Sequence, residues 1–158
     1  FKVEEYPVVT TVPELAIPRP AQFEQGISLL GANLSQAPYQ LGGQLEIALV
    51  WRAGQEVNDN YTVFVQLWKT GEAQTGQPAA QGDSDPVDGL RPTRTWRPNE
   101  IIVDAHHVPL PADLAAGEYA VYIGLYQRDT GARLAVTVDG TTPPERWVKL
   151  TTVQIERP

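Results

Sequence analysis

Short apolar segments that alternate with a period of two, each closed off by turn residues, constrain this chain more than any other feature. Gln44–Arg52 is the clearest. Leu45, Ile47, Leu49 and Trp51 fall on one side, and Gln44, Glu46, Ala48 and Arg52 on the other. Successive side chains of a strand point to opposite faces, so this is the pattern of a half-buried strand. Tyr61–Trp68 repeats it, with Tyr61, Val63, Val65 and Leu67 opposed to Thr62, Phe64, Gln66 and Trp68. Glu118–Tyr126 repeats it again, with Tyr119, Val121, Ile123 and Leu125 on one face. Ile27–Leu34, interrupted at Gly31, and Ile101–Val108, ended by Pro109 and Pro111, are further strands. Val148–Ile155 is the last, and its apolar parity shifts between Leu150 and Val153 as at a bulge. Pro78–Gln81 allows a short strand at most, and a turn around Ala112–Ala116 is the only helical candidate. The turn Asp129-Thr130-Gly131 predicts that Tyr119–Gln127 and Arg133–Val138 pair as a hairpin.

About seven to nine strands separated by turn signals predict an all-β chain, an antiparallel two-sheet β-sandwich of jelly-roll or immunoglobulin-like type. The alternating set running from Leu45 to Leu125 is expected to point inward between the sheets. The 158 residues suit one domain, and 13 Gly with 14 Pro suit a chain that turns often. Pro7, Pro13, Pro18 and Pro20 forbid a helix at the start, so residues 1–22 are expected as an extended linker or docked arm and 23–158 as the sandwich domain.

A formal net charge of -7, with no cluster of Lys and Arg to offset it, disfavours nucleic acid and anionic membrane surfaces as partners. Without cysteine the chain has neither disulfides nor thiolate metal sites. No apolar run approaches the ~20 residues of a spanning helix, so no direct membrane insertion by this stretch is expected. The chain contains no methionine and begins at Phe1, which predicts a fragment or processed product of a longer protein. Any anchor or targeting segment is then expected outside it.

From Asp83 to Leu134 the pattern runs Asp85-Pro86, Gly89, Pro92-Thr93, Trp96, Glu100, Asp104, Pro111, Gly117, Tyr119, Gly124-Leu125-Tyr126, Thr130-Gly131 and Arg133-Leu134. With Ile27-Ser28-Leu29-Leu30-Gly31 and the Trp51 strand, it resembles the β-sandwich domain C-terminal to bacterial multi-pass membrane glycosyltransferase-like proteins. Those proteins are similar to the dolichyl-phosphate-mannose–protein mannosyltransferase family. Asn99 stands where that pattern has Gly, and Asn tolerates a left-handed backbone next best. The resemblance implies an extracytoplasmic location, attachment to a membrane protein, and transfer chemistry housed in the membrane part. It carries no catalytic residue onto this chain.

Candidate sites follow from the residues. Phe64 and Trp68 share the non-core parity of their strand, and Tyr122 and Tyr126 that of theirs. In one aligned sheet these four would line its second face, a platform on which a sugar ring can stack. Against this stands a cover over that face, drawn from the N-terminal arm or the long Asp83–Glu100 loop. Trp96, amid Arg91, Arg94 and Arg97, is expected to anchor that loop near Phe64 or Tyr122, with the arginines at the rim near Asp85, Asp88 or Glu100. Asp83, Asp85 and Asp88 are a weak calcium candidate, since they lack the ligand spacing of an EF-hand. Asp85, Glu100 and Asp104 would have to converge across a cleft to hydrolyse a glycoside. His106 and His107 point to opposite faces of a strand and cannot chelate one ion together. No nucleophile elbow, zinc-binding helix motif or phosphate loop is present.

The leading expectation is a non-catalytic accessory domain, structural or recognition, without a cofactor. Its partner is expected to be a glycan or the membrane part of its own parent chain. The alternative is an autonomous carbohydrate-binding module using the aromatic face, and a hydrolase ranks below both.

Overall fold

The computed structural model describes residues 8–158. Ten strands form in chain order: β1 (Ile17–Phe23), β2 (Ile27–Leu34), β3 (Tyr39–Gln40), β4 (Gln44–Ala53), β5 (Thr62–Lys69), β6 (Ala80–Ser84), β7 (Ile101–Pro109), β8 (Gly117–Tyr126), β9 (Val136–Thr137) and β10 (Val148–Glu156). They make two five-stranded sheets, β7-β4-β2-β1-β9 and β3-β10-β8-β5-β6, packed face to face. The chain is therefore an all-β two-sheet sandwich. One pairing departs from the antiparallel expectation: β3 runs parallel to β10, with Ile155 opposite Tyr39.

The inner faces are those the alternation marks. Leu45, Ile47, Leu49 and Trp51 of β4 face Val63, Val65 and Leu67 of β5 and Tyr119, Val121, Ile123 and Leu125 of β8, all within one buried cluster. The parity shift in β10 is a bulge between Lys149 and Thr151. On β7 the inward set is Ile102, Asp104, His106 and Val108, so two polar side chains enter the core.

Two expectations are corrected, on the hairpin and the helical turn, and the N-terminal segment is given its pairing. β1 starts at Ile17 and runs through Pro18 and Pro20 within the segment expected as an arm. A register shift between Pro18 and Ala21 lets the prolines in, because Pro cannot donate to a ladder and needs a bulge or an edge. Ahead of it, Val9 accepts a bond from the Ile101 amide at 2.7 Å, and Asn33 bridges Glu14 and Ala16. The part of that expectation covering residues 1–7 lies outside the described residues. Gly31 opposes the start of β1 closely, and a Cβ there would stand 2.3 Å from the Ile17 carbonyl oxygen. The Asp129-Thr130-Gly131 turn does close back, with Leu134 donating to the Leu125 carbonyl. The hairpin then stops, because Val136–Thr137 leaves to pair with β1 in the other sheet. Among the described residues, Ala112–Leu114 is only a turn, and the helical elements are 3-10 turns at Glu24–Gly26 and Thr93–Thr95.

The long Asp83–Glu100 segment gives its first two residues to β6 and then folds as successive tight turns. Asn99 takes φ 67, the left-handed conformation that its place in the pattern called for. Its amide donates to the Ala53 carbonyl at 2.6 Å, which ties the loop to the end of β4. Leu49 lies at the centre of the sandwich and is fully buried. Leu49→Ala should lower unfolding free energy by about 2–5 kcal/mol in chemical denaturation, because the cavity left between two sheets cannot collapse fully.

Candidate functional site

The outer face of the β5–β8 sheet gathers the four aromatics expected to share it. Thr62, Phe64, Gln66 and Trp68 of β5 point outward, opposite Tyr126, Gly124, Tyr122 and Ala120 of β8. Gly124 decides how they pack. The Phe64 ring lies across its backbone, and a Cβ there would stand 2.1 Å from ring carbons. Over that ring is the Arg133 guanidinium, 4.4 Å from its centroid. Phe64 is thus closed from both sides and 1% exposed.

The cover comes from the connection between β8 and β10. After leaving for β9, the chain returns through Glu145 to Trp147, which stacks on Tyr122 with centroids 4.1 Å apart and meets Trp68 edge-on at 6.2 Å. Arg133 Nη1 donates to the Glu145 carbonyl at 2.9 Å, and Arg146 donates back to the Arg133 carbonyl at 2.8 Å. Burial lowers the Arg133 pKa from its ordinary value, opposed by the charge of Asp83. Tyr126 donates to Asp83 at 2.9 Å, and burial, then this bond, raises its phenol pKa.

Trp96 is apart from this group. It is 1% exposed, but its indole packs toward Trp51 at 6.2 Å, at the end of the sandwich, and not near Phe64 or Tyr122. The expected lid is therefore corrected: the Asp83–Glu100 loop plugs the core, and the 133–147 segment covers the aromatic face. The sequence order misleads because the loop joins β6 to β7, the edge strands of different sheets, and so closes the sandwich between them. Trp96 Nε1 donates to the Arg91 carbonyl, and Arg91 pairs with buried Glu100 at 2.6 Å.

What the cover leaves open is a cleft of about 420 Å³ beside Trp68 and Trp147, bordered by Gln66, Gln81, Arg133 and Glu145. Neither Trp147 nor Arg133 was among the residues the sequence picked out for this face. The signal was Gly124, a glycine in the middle of an otherwise well-formed strand, which marks a close approach from a neighbour.

Most of the acids expected at other sites have protein partners. Asp85 accepts from Thr62 at 2.7 Å and lies 3.5 Å from Arg128. Asp83 is held by Tyr126, and Asp88 takes φ 51 in a turn. Among the described residues, no three of His, Cys, Asp and Glu are grouped to hold a metal ion. Glu100 is bound by Arg91 and by the Arg97 amide at 3.1 Å. Asp104 is fully buried, takes bonds from Trp51 Nε1 at 3.2 Å and the Val87 amide at 2.7 Å, and meets His106 Nε2 at 2.5 Å.

His106 continues this line to Ser84 Oγ, 2.8 Å from Nδ1. The set is a serine, a histidine and an aspartate in series, which no motif announced. A hydrolytic set needs its serine to front a cleft with oxyanion donors about 3 Å from the reacting atom. Ser84 instead points to the inner side of β6, and none of the three lines the cleft beside Trp68. His107 points out, 3.6 Å from Glu46.

Compared with known proteins, the chain matches no family model and no curated sequence.

Two substitutions separate cover from plug. Gly124→Ala should expel Phe64 from its slot and cost about 1–3 kcal/mol by overpacking, read as a lowered Tm. Trp96→Ala should cost about 3–5 kcal/mol and expose the 85–100 segment to limited proteolysis, with the Phe64–Arg133 stack left in place.

Proposed function

We propose that this chain is a non-catalytic, extracytoplasmic accessory domain of a membrane-bound glycosyltransferase-like protein, built on a jelly-roll or immunoglobulin-like scaffold. One observation supports the non-catalytic part: Asp85, Glu100 and Asp104 are each engaged by donors of the protein itself. A glycosidase needs two carboxyl groups facing each other across its substrate, about 5–9 Å apart. The attachment to a membrane transferase rests on the resemblance of the Asp83–Leu134 pattern. Among the described residues no helix is long and apolar enough to cross a membrane, so the anchor in this reading belongs to the parent chain. A sandwich whose aromatic face is largely closed by its own Arg133 and Trp147 suits a rigid body held beside a catalytic partner.

A second reading, an autonomous carbohydrate-binding module, is favoured by the cleft that remains beside Trp68. It differs from the first in needing no parent chain.

The test is the reading frame that precedes the Phe1 codon. It should encode several apolar segments of ~20 residues. In the parent protein, excising residues 17–158 should impair transfer while leaving insertion intact. A frame without such segments, or a parent whose transfer is indifferent to the excision, would overturn the accessory reading. So would turnover of a glycoside by the isolated chain.

A further inference from the structure

The cleft beside Trp68 is more than a gap in the cover. Its floor is formed by Gln66, which is 8% exposed. The Gln66 Oε1 atom accepts from Trp68 Nε1 at 3.0 Å, which fixes the carboxamide and leaves its nitrogen with no acceptor among the described residues. A donor on a nearly buried side chain costs free energy unless something accepts from it. Among the described residues no buried side-chain nitrogen or oxygen is left both sealed and unpartnered, so this nitrogen reaches the cleft that Gln66 lines. Gln81 stands directly across the β5–β6 ladder from Gln66. Two carboxamides one strand spacing apart, about 4.8 Å, present paired donors and acceptors side by side.

The walls are rigid for the same reason the face is covered. Trp68 is held by the Gln66 bond and by the edge-on contact with Trp147. Trp147 is held by its stack on Tyr122. Arg133 is pinned between the Phe64 ring and the Glu145 carbonyl, and no carboxylate lies within ion-pair distance of it among the described residues. Its remaining N–H groups are donors whose direction is set in advance. Such a site has little ordering cost left on the protein side.

We propose that this cleft binds one pyranose ring of a neutral glycan. The partly exposed Trp68 indole offers its apolar surface to the C–H groups of the ring. Gln66 and Gln81 meet neighbouring hydroxyls, each of which both donates and accepts. Arg133 donates, and the Glu145 carboxylate at the rim accepts. Arg133 and Glu145 balance in charge within the cleft, and the chain as a whole carries -7, so a neutral sugar is favoured over an acidic one. The volume of about 420 Å³ falls in the usual range for small-ligand sites, about 300–1,000 Å³.

This inference deepens the recognition side of the accessory role and rests on that reading only for its purpose in the parent chain. The test is NMR titration of the ¹⁵N-labelled chain with neutral pentasaccharides of glucose, galactose and mannose, with a uronic-acid pentasaccharide as the charged comparison. At least one neutral sugar should give saturable shifts in the Trp68 indole and Gln66 carboxamide signals. Trp68→Ala should weaken Kd by about tenfold or more, equivalent to about 1.4 kcal/mol. Gln81→Ala, on an exposed side chain, should weaken it as well and keeps the test decisive if Trp68→Ala unfolds. The site is refuted if no neutral pentasaccharide gives saturable shifts, if only the uronic acid binds, or if the folded Trp68→Ala and Gln81→Ala chains bind as the parent sequence does. Lost sugar binding with a persisting effect of excision on transfer would sink this site and leave the accessory role standing.

Discussion

The structure depends on burying one indole. Trp51, at the inner end of β4, has no exposed surface, and a buried indole gains its large apolar area only if its N–H finds an acceptor. That acceptor is Asp104 on the neighbouring strand β7, itself fully buried. A carboxylate in that position must in turn be saturated with donors, because a buried charge without them is strongly unfavourable. His106 and the Val87 amide supply the rest, and Ser84 satisfies the far side of the imidazole. One ring thus fixes β4 against β7, draws the start of the long loop inward at Val87, and ties β6 to β7 across the seam between the sheets. Its faces do as much through packing: Phe23 of β1 lies edge-on at 5.7 Å, and Trp96 of the loop at 6.2 Å.

Seen this way, the serine–histidine–aspartate line is a consequence of core packing. Each member answers the unsatisfied group of the one before it, beginning at the indole. The same logic explains Glu100, which is buried at the other end of the loop and held by Arg91 and the Arg97 amide. The loop is ordered by what it must satisfy at both ends, and Trp96 fills the space between them.

The two faces of the β5–β8 sheet differ in chemistry and in what covers them. The inner face is mostly aliphatic and closed. The outer face is aromatic, and Gly124 splits it into two zones. Over Gly124, Phe64 sinks into the sheet and Arg133 seals it. One residue pair along, where β8 carries Tyr122, there is no slot, so Trp147 stacks on top, meets Trp68 only edge-on and leaves a cleft beside Gln66. Sealing one half supplies the fixed wall of the other, which is why a covered face and a preorganised cleft occur together.

The sequence by itself determined the sandwich and its inner faces. A period of two leaves only one way to bury Leu45, Ile47, Leu49 and Trp51 together, and the same holds for β5 and β8. It also pointed to a bulge in β10 and put Phe64 and Trp68, and Tyr122 and Tyr126, on the outward parity of their strands, since strand parity is local; that β5 and β8 pair in register, so that the four share a face, was decided by the fold. Only the tertiary structure decided which segment lies over that face. Alternation says which side of a strand is outward, and carries no information on which distant stretch of chain arrives there. Trp96 and Trp147 look alike as indoles in proline-rich connections, yet one fills the core beside Trp51 and the other covers Tyr122. Their places follow from the strands each connection joins: β6 to β7 across the seam for the first, and β9 back to β10 over the outer face for the second. The buried line from Trp51 to Ser84 was hidden for the same reason, because its four residues come from three strands and meet only when the two sheets close.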